Sequence, residues 1–528
     1  MTPPEFDALI VGFGPVGQAL GALLGQGGHR VAVVERYEEP YSLPRAIRFD
    51  GEVMRLFQRL GITAQVLIDA LPADHYLWHG ADGELILDIP VGAIQHPSGW
   101  ASDWVFFQPQ TERALISAVE SCDSVDLLRG WVATDLSQDV DGVDLVIEPA
   151  DGGGQRTLRA RYLVGADGAN SFVRKAAGIA WNDLGFSEHW FVCDVRPHDE
   201  AVLTDLPMAA QYCEPRRPRT TVRNGRHHRR WEFRIPPEED LESLVREPKR
   251  VWELLGPYIR PDEGELIRHA SYEFRSLLAD AMQVGRVFLA GDAAHLMPPF
   301  MGEGMCSGLR DASNLAWKLD HVLRGLASPS LLQTYHPERS AQNAATIEVS
   351  LMMGQVACVS DPEAAAARDA AFRSGQVPPP PPFPALGPGV GHHDPDGDLL
   401  APAGALAVQP RVRVSGREGL YDDVFGPGFA VMAVEGDPRA ILDDAQLGFL
   451  DRIGATITSF DQAVPGAAED ADGRLTGWLS ELGLVAVISR PDFYAFGGVP
   501  DLAELPALVD ELRAYWEAPA RTVSAVTR

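Results

Sequence analysis

The sequence is short of cysteine and of positive charge, and it has no long apolar run. Five cysteines, Cys122, Cys193, Cys213, Cys306 and Cys358, are scattered through 528 residues without a CxxC pair. That spacing argues against a disulfide framework and a thiolate metal site, so the thiols read as free and no metal is expected. Basic residues number 45 against 74 acidic ones, a formal charge of −29. This balance disfavours nucleic acid and anionic membrane as partners. No stretch of about 18 uncharged apolar residues marks a membrane span. The opening "MTPPEFDALIVG" has no basic segment ahead of an apolar one, so no secretory leader is expected and the cytoplasm is the default. At roughly 150 residues per domain the chain should hold about three domains.

What is present begins with "DALIVGFGPVGQALGALLGQGGHRVAVVER". Ala8 to Val11 is short and apolar enough for a strand buried on both faces. Gly12, Gly14 and Gly17 form a GxGxxG turn, and Val16, Ala19, Leu20, Leu23 and Leu24 then recur at helical spacing. The first glycine permits the tight turn, the second lets a pyrophosphate approach the backbone, and the third allows close helix packing. Glu35, with Arg36 beside it, ends the second strand, where an acidic side chain accepts hydrogen bonds from an adenosine ribose. This unit binds a dinucleotide, and alone it does not separate NAD from FAD.

Two further motifs follow. "RARYLVGADGANSFVRKAAGI" runs from a strand into Asp167-Gly168 and Arg174, and "VFLAGDAAHLMPPFMGEGMCSGLRDASNLAWKL" carries Gly291-Asp292 at another strand tip before a long helix. The three motifs, in this order, resemble those of the single-component, FAD-dependent aromatic hydroxylases, the class A flavoprotein monooxygenases, over about residues 7–323. The resemblance implies that Asp292 holds the ribityl chain and that Pro298 or Pro299 lies beside the flavin ring. It implies that the backbone of Gly302, Gly304 and Met305 donates to the ring's pyrimidine end. A helix N-terminus aimed there stabilises the anion of the reduced ring. Asp167 belongs to an element that serves both FAD and the nicotinamide cofactor, Arg45 sits near the mobile flavin, and Gln108 contacts the FAD ribose or ribityl. Arg45, Pro298, Gly302 and Gly304 are thus the expected catalytic surroundings. With no second GxGxxG unit, NADH or NADPH visits a groove, and the choice between them stays open. One departure stands out: Cys306 occupies a position that is often asparagine in the family.

The middle segment reads as strands, and "QYCEPRRP" and "RRWEF" resemble the subgroup that hydroxylates 3-(3-hydroxyphenyl)propionate and related phenols. Eight arginines, 216, 217, 219, 223, 226, 229, 230 and 234, form a positive island. They either hold a substrate carboxylate or nucleotide phosphate, or form a solvated strand surface. His227 and His228 show no metal spacing and read as loop residues; His392 and His393 read as part of a hydrated linker with polyproline geometry at Pro378 to Pro382. "RPDFYAFG" resembles the thioredoxin-like C-terminal domain of many such hydroxylases. Without a cysteine after Cys358 that domain should be redox-silent, serving packing or dimer contacts.

The expected fold is α/β. A FAD-binding, Rossmann-like domain spans 1–182 and 266–375, with an inserted substrate-binding β-sheet domain at 183–265. A Pro/Gly-rich linker at 376–410 and a thioredoxin-like domain without CxxC at 411–528 complete it. The implied reaction consumes NAD(P)H and O₂ and hydroxylates a phenolic substrate through a flavin C4a-hydroperoxide. A polycyclic aromatic substrate of polyketide type, or a flavin-dependent reductase on the same fold, is the alternative. A homodimer is compatible with this reading.

Overall fold

Strands that are apolar on both faces set the first layer of the computed structural model, which describes residues 4–239, 241–377 and 381–518. Phe6–Val11 pairs in parallel with Val31–Glu35 on one side and Arg156–Gly165 on the other, and Arg156–Gly165 pairs in parallel with Val287–Leu289. Register matters most for what comes after. Val11 lies opposite Gly165 and Val34, and Gly165 lies opposite Leu289. The chain therefore leaves three adjacent strands at one level, with Gly12, Ala166 and Ala290 side by side and Glu35 next to them. Helices Pro15–Gln26 and Gly304–Leu323 pack together here. A Cβ on Gly308 would lie 2.6 Å from Val16 Cγ2 and 3.0 Å from Gly291 Cα, so glycine is what permits the close approach.

The second layer is an eight-stranded sheet in the order His295–Leu296, Gly264–Ala279, Trp181–Pro197, His228–Arg234, Arg219–Asn224, Ala209–Tyr212, Tyr76–His79, Leu85–Ile89. Its last two strands come from the N-terminal part of the chain, and Tyr76–His79 joins in parallel to Ala209–Tyr212. His228 lies in a strand, not a loop, and stacks on Phe107 with ring centroids 4.0 Å apart.

In the C-terminal region a four-stranded sheet has the order Thr456–Ser459, Ala430–Ala433, Ala486–Ser489, Ala495–Val499, with the first pair parallel and the rest antiparallel. With helices Asp444–Arg452, Arg474–Leu482 and Leu505–Glu517 this is the βαβαββα order of a thioredoxin-like domain. Its RPDFY turn is driven against helices Gly304–Leu323 and Tyr335–Ala357. Arg490 Nη2 donates to Glu338 Oε2 at 2.7 Å, and Lys318 Nζ donates to the same oxygen at 2.7 Å. Asn314 Nδ2 donates to Asp492 Oδ2 at 2.8 Å. Residues 386–393 and 402–409 are packed into this seam, while the turn at 395–398 between them is exposed. Leu386, Val390, Ala407 and Gln409 are buried, Val390 N donates to Glu338 Oε1 at 2.7 Å, and His392 Nδ1 bonds Glu511 Oε2 at 2.5 Å. The polyproline expectation falls partly outside the described residues. Among the described residues no helix is long and apolar enough to cross a membrane.

The same seam holds His321, which accepts from Trp516 Nε1 at 3.0 Å and packs on Trp317, Phe429 and Trp516. Burial pushes its imidazole down from 6.5 to about 4. Between those values the unfolded chain binds the proton and the folded chain does not. Its contribution is therefore complete above about pH 6.5, is lost as pH falls toward 4, and amounts to roughly 3 kcal/mol. Urea unfolding of wild type and His321→Leu across this window should show that step in wild type alone; equal slopes would refute it.

Candidate active site

The glycine turns divide their work. Gly12 has φ +102°, and a Cβ there would sit 2.3 Å from Ala166 O. A Cβ on Gly17 would sit 2.1 Å from Gly12 O. Gly14 is different: its φ is −77°, and the nearest atom to an added Cβ is Arg45 Nη2 at 3.8 Å. The first and third glycines are therefore required by packing, while the second leaves an open face on a helix start with no side-chain cap. Glu35 is held in place by Phe13 N at 2.8 Å and Tyr37 N at 3.0 Å. Gln108 Oε1 accepts from the backbone N–H of Arg45 and Ala46 at 2.9 and 2.6 Å. It thus anchors the loop that carries Arg45, whose guanidinium lies 5.2 Å from the Tyr41 ring centroid.

The second end of the site is built on charge held inside the protein. Asp311 Oδ2 accepts from Gly291 N at 2.9 Å and from His295 Nε2 at 2.7 Å, and Oδ1 accepts from Arg339 Nε at 2.8 Å. Burial alone would raise that carboxyl; His295 and Arg339 outweigh it and hold it at about 2. Asp292 opens onto the cavity, yet the protein around it strips solvent and raises its carboxyl, against the pull of His295 and Arg45. Gly302 is left-handed at φ +67°, and Glu303 precedes the helix Gly304–Leu323 without capping it by a side chain. The first backbone N–H groups of that helix are thus unpaired and line the cavity at Gly304 and Met305. Arg310 fixes this turn by contacting Asp50, Glu52 (2.7 Å) and Glu303 (2.7 Å) at once. Asp50, Glu303 and Cys306 come within metal-ligand reach of one another, but Arg310 and Arg48 already occupy the two carboxylates. Cys306 is buried, which pushes its thiol well up.

One cavity of about 990 Å³ connects these parts. Gly12, Gly14, Glu35, Arg36, Arg45, Gln108, Asp167, Asp292, Pro299, Gly302, Gly304 and Met305 all line it. Gly17 lies behind it as a packing residue. Pro298, one of the two prolines expected beside the ring, does not line it either; its carbonyl turns away to accept from Ser350 Oγ at 2.6 Å. Asp167 faces the cavity while capping the next turn, accepting from Ser171 Oγ at 2.5 Å and Val173 N at 3.1 Å.

The far wall is the sheet expected at 183–265 to cover the substrate, but its individual lining residues are not named by the sequence. It is the face of the second sheet, from which Trp190, Val192, Gln211, Thr220, Val222, Arg230, Glu232, Tyr272, Phe274 and Tyr76 line the cavity. The signal available was the alternation in "HRRWEFR", which puts Arg230 and Glu232 on one face of a strand. The arginine island therefore splits. Arg229 and Arg230 are buried, and Arg230 donates to both oxygens of Asp194 at 2.7 and 2.8 Å, to Pro44 O at 2.9 Å and to Arg45 O at 2.5 Å. Arg217, Arg219 and Arg234 pair with Glu239, Glu214 and Glu188.

Known proteins share this organisation. The family described as "FAD binding domain" matches residues 5–350, and "HcaD C-terminal domain" matches residues 404–515. A "Probable NADH-specific resorcinol 4-hydroxylase" of Rhodococcus jostii (strain RHA1) is 38% identical, covering 96% of this chain and 94% of the relative. A "3-(3-hydroxy-phenyl)propionate/3-hydroxycinnamic acid hydroxylase" of Mycolicibacterium smegmatis (strain ATCC 700084 / mc(2)155) is 33% identical, covering 86% and 82%. The solved ternary complex of aklavinone-11 hydroxylase with FAD and aklavinone shares the fold, with TM-score 0.78 at 23% identity over 97% of this chain and 99% of that one.

Proposed function

This chain belongs to the single-component, FAD-dependent aromatic hydroxylases, and we propose that within them it hydroxylates a small phenol with NADH as electron donor. The observation that carries this is the row of three adjacent strand exits opening, with an uncapped helix start, into one cavity. NADH specificity is read across from the resorcinol hydroxylase relative. The unpaired cysteines suit a reducing cytoplasm.

The residues present fit FAD: an open glycine face for a pyrophosphate, a carboxylate at the end of the second strand, and free N–H donors at a helix start. When bound, FAD supplies hydride acceptance from the nicotinamide and transfer of one oxygen atom of O₂ to the ring. The chain binds, orients and shields. Gly14 and the helix start behind it take the pyrophosphate, Glu35 the adenosine ribose, and Asp292 the ribityl chain. The N–H groups of Gly304 and Met305, at the positive end of a 20-residue helix, hold negative charge on the ring. Arg45, on a loop tethered by Gln108 and Arg230, guards the mouth. The second sheet covers the substrate and keeps water out.

Purified protein with FAD should oxidise NADH several-fold faster when resorcinol is added, take up O₂ in step, and use NADPH poorly. NADH oxidation that ignores every phenol tested would overturn the reading. Asp292→Ala should weaken FAD retention by roughly tenfold or more, as loss of a charged hydrogen bond does. Arg45→Ala should slow flavin reduction while leaving FAD bound. Flavin fluorescence titration and stopped-flow absorbance read the two effects.

A further inference from the structure

On the sheet side, the cavity wall carries a carboxylate without an assigned task. Glu232 lies on strand His228–Arg234, which pairs with Arg219–Asn224 on one side and Trp181–Pro197 on the other. The registers place Thr220 and Val192 directly beside it, and both also line the cavity. Glu232 is 9% exposed; it ion-pairs with Arg230 Nη1 at 3.6 Å, and Arg268 also acts on its charge, but among the described residues no hydrogen bond shorter than 3.5 Å is made to its oxygens. Arg230 is already committed to Asp194, Pro44 O and Arg45 O. Across the same wall the Tyr76 hydroxyl has no hydrogen-bond partner among the described residues, although it lines the cavity.

His75 at the sheet end is already paired with Asp88, and the arginines of the cavity are placed elsewhere. Among the described residues its lining arginines are Arg36, Arg45, Arg48, Arg129 and Arg230. Arg36 and Arg129 follow or end strands of the first sheet, and Arg45 Nη2 approaches Gly14, so these three serve the dinucleotide end. Arg48 contacts Asp103, Glu303 and Met301 O. At the sheet end, then, no arginine is left to receive a substrate carboxylate, while one carboxylate is left to receive a substrate hydroxyl. Buried polar groups that lack protein partners select ligands that complete them.

We propose that Glu232 sets the substrate's charge: its carboxylate accepts a hydrogen bond from a phenolic hydroxyl, and the chamber takes uncharged dihydroxybenzenes in preference to phenols bearing a carboxylate. This rests on the hydroxylase reading and deepens it. It separates two kinds of relative that share the fold, one named for resorcinol and one for hydroxyphenylpropionate. Arg234, next on the same face of the strand, is no substitute cation, because Glu188 holds it through two hydrogen bonds of 2.7 and 3.0 Å.

The test measures binding, by perturbation of flavin absorbance in the FAD-loaded enzyme, with resorcinol and 3-(3-hydroxyphenyl)propionate as probes. Wild type should bind resorcinol at least about tenfold more tightly, the effect of one charged hydrogen bond. Glu232→Gln should weaken resorcinol and strengthen the propionate, so that the ratio falls roughly tenfold. A merely structural role for Glu232 would change both affinities in the same direction and leave the ratio alone. Wild type preferring the carboxylate probe, or an unchanged ratio in Glu232→Gln, overturns the proposal. If NADH oxidation responds to phenols yet the two probes bind alike, this inference fails and the hydroxylase reading stands. If neither probe perturbs the flavin, this inference fails, and the small-phenol reading then stands or falls by the NADH-oxidation test.

Discussion

Gly12→Ala loses FAD, with affinity reduced by more than about a hundredfold, whereas Gly14→Ala leaves the apoprotein as stable as wild type and weakens only the cofactor. The difference lies in what a methyl group meets. At Gly12 it strikes the carbonyl of Ala166 at 2.3 Å and that residue's carbonyl carbon at 2.7 Å, and φ is +102°. Both obstacles are backbone of the neighbouring motif, so neither can swing aside. Relief requires the first and second strand exits to part, which separates the GxGxxG turn from Asp167 and costs roughly 3 kcal/mol in strain and lost packing. At Gly14 φ is ordinary and no atom lies closer than 3.8 Å, so the methyl enters space reserved for a ligand. Thermal unfolding of the apoproteins and FAD titration separate the two: a Gly14→Ala protein that binds FAD like wild type would show that no phosphate lies there.

Arg310→Met is the second large effect, at about 4 kcal/mol of lost stability, because it takes the shared guanidinium from three buried carboxylates and leaves only Arg48, on Glu303, to offset them. Arg310, Asp50, Glu52 and Glu303 are all buried, and the guanidinium is held well above its usual range by the three acids despite the cost of burying it. Glu303 immediately precedes the helix whose N–H groups face the cavity, so the loss loosens the cofactor turn as well as the fold. Acid should partly rescue the variant. Without Arg310 the buried carboxyls bind protons more readily folded than unfolded, so the deficit shrinks as pH falls through the carboxylate range. Wild type behaves in the opposite sense at Asp311 and Glu338, both held at about 2; their contribution is present above the ordinary carboxylate range and disappears as pH drops toward 2. Urea denaturation of both proteins at several pH values checks the sign.

That the glycine turn, Glu35, Asp167 and Asp292 meet at one cavity is readable because the grouping depends on local spacing at strand ends. Gly12, Gly14, Gly17, Glu35, Asp167 and Asp292 follow strands, and parallel pairing brings strand ends together whatever lies between. Two adjacent prolines look alike in sequence, and only Ser350, 52 residues on, distinguishes Pro298, whose carbonyl it binds, from Pro299, which lines the cavity. The sheet wall is legible as an inserted sheet, but its individual lining residues are not. Its strand Tyr76–His79 pairs with Ala209–Tyr212 across more than a hundred residues, and no local pattern reports such a partner. The arginine island was ambiguous for a related reason. Alternation predicts which arginines share a face, but only the fold reveals that Asp194 had already claimed Arg230. The RPDFY turn resembles a domain marker, but its ion pair from Arg490 to Glu338 and the hydrogen bond Asp492 accepts from Asn314 depend on docking between distant parts of the chain.

The most direct measurement of the central claim, that the three strand exits hold one flavin which puts oxygen on a ring covered by the second sheet, uses isotopically labelled dioxygen. With FAD, NADH and resorcinol, mass spectrometry should find one labelled oxygen atom in the hydroxylated product for each NADH consumed. NADH consumption that yields labelled hydrogen peroxide but no labelled product, across the phenols tested, would contradict it.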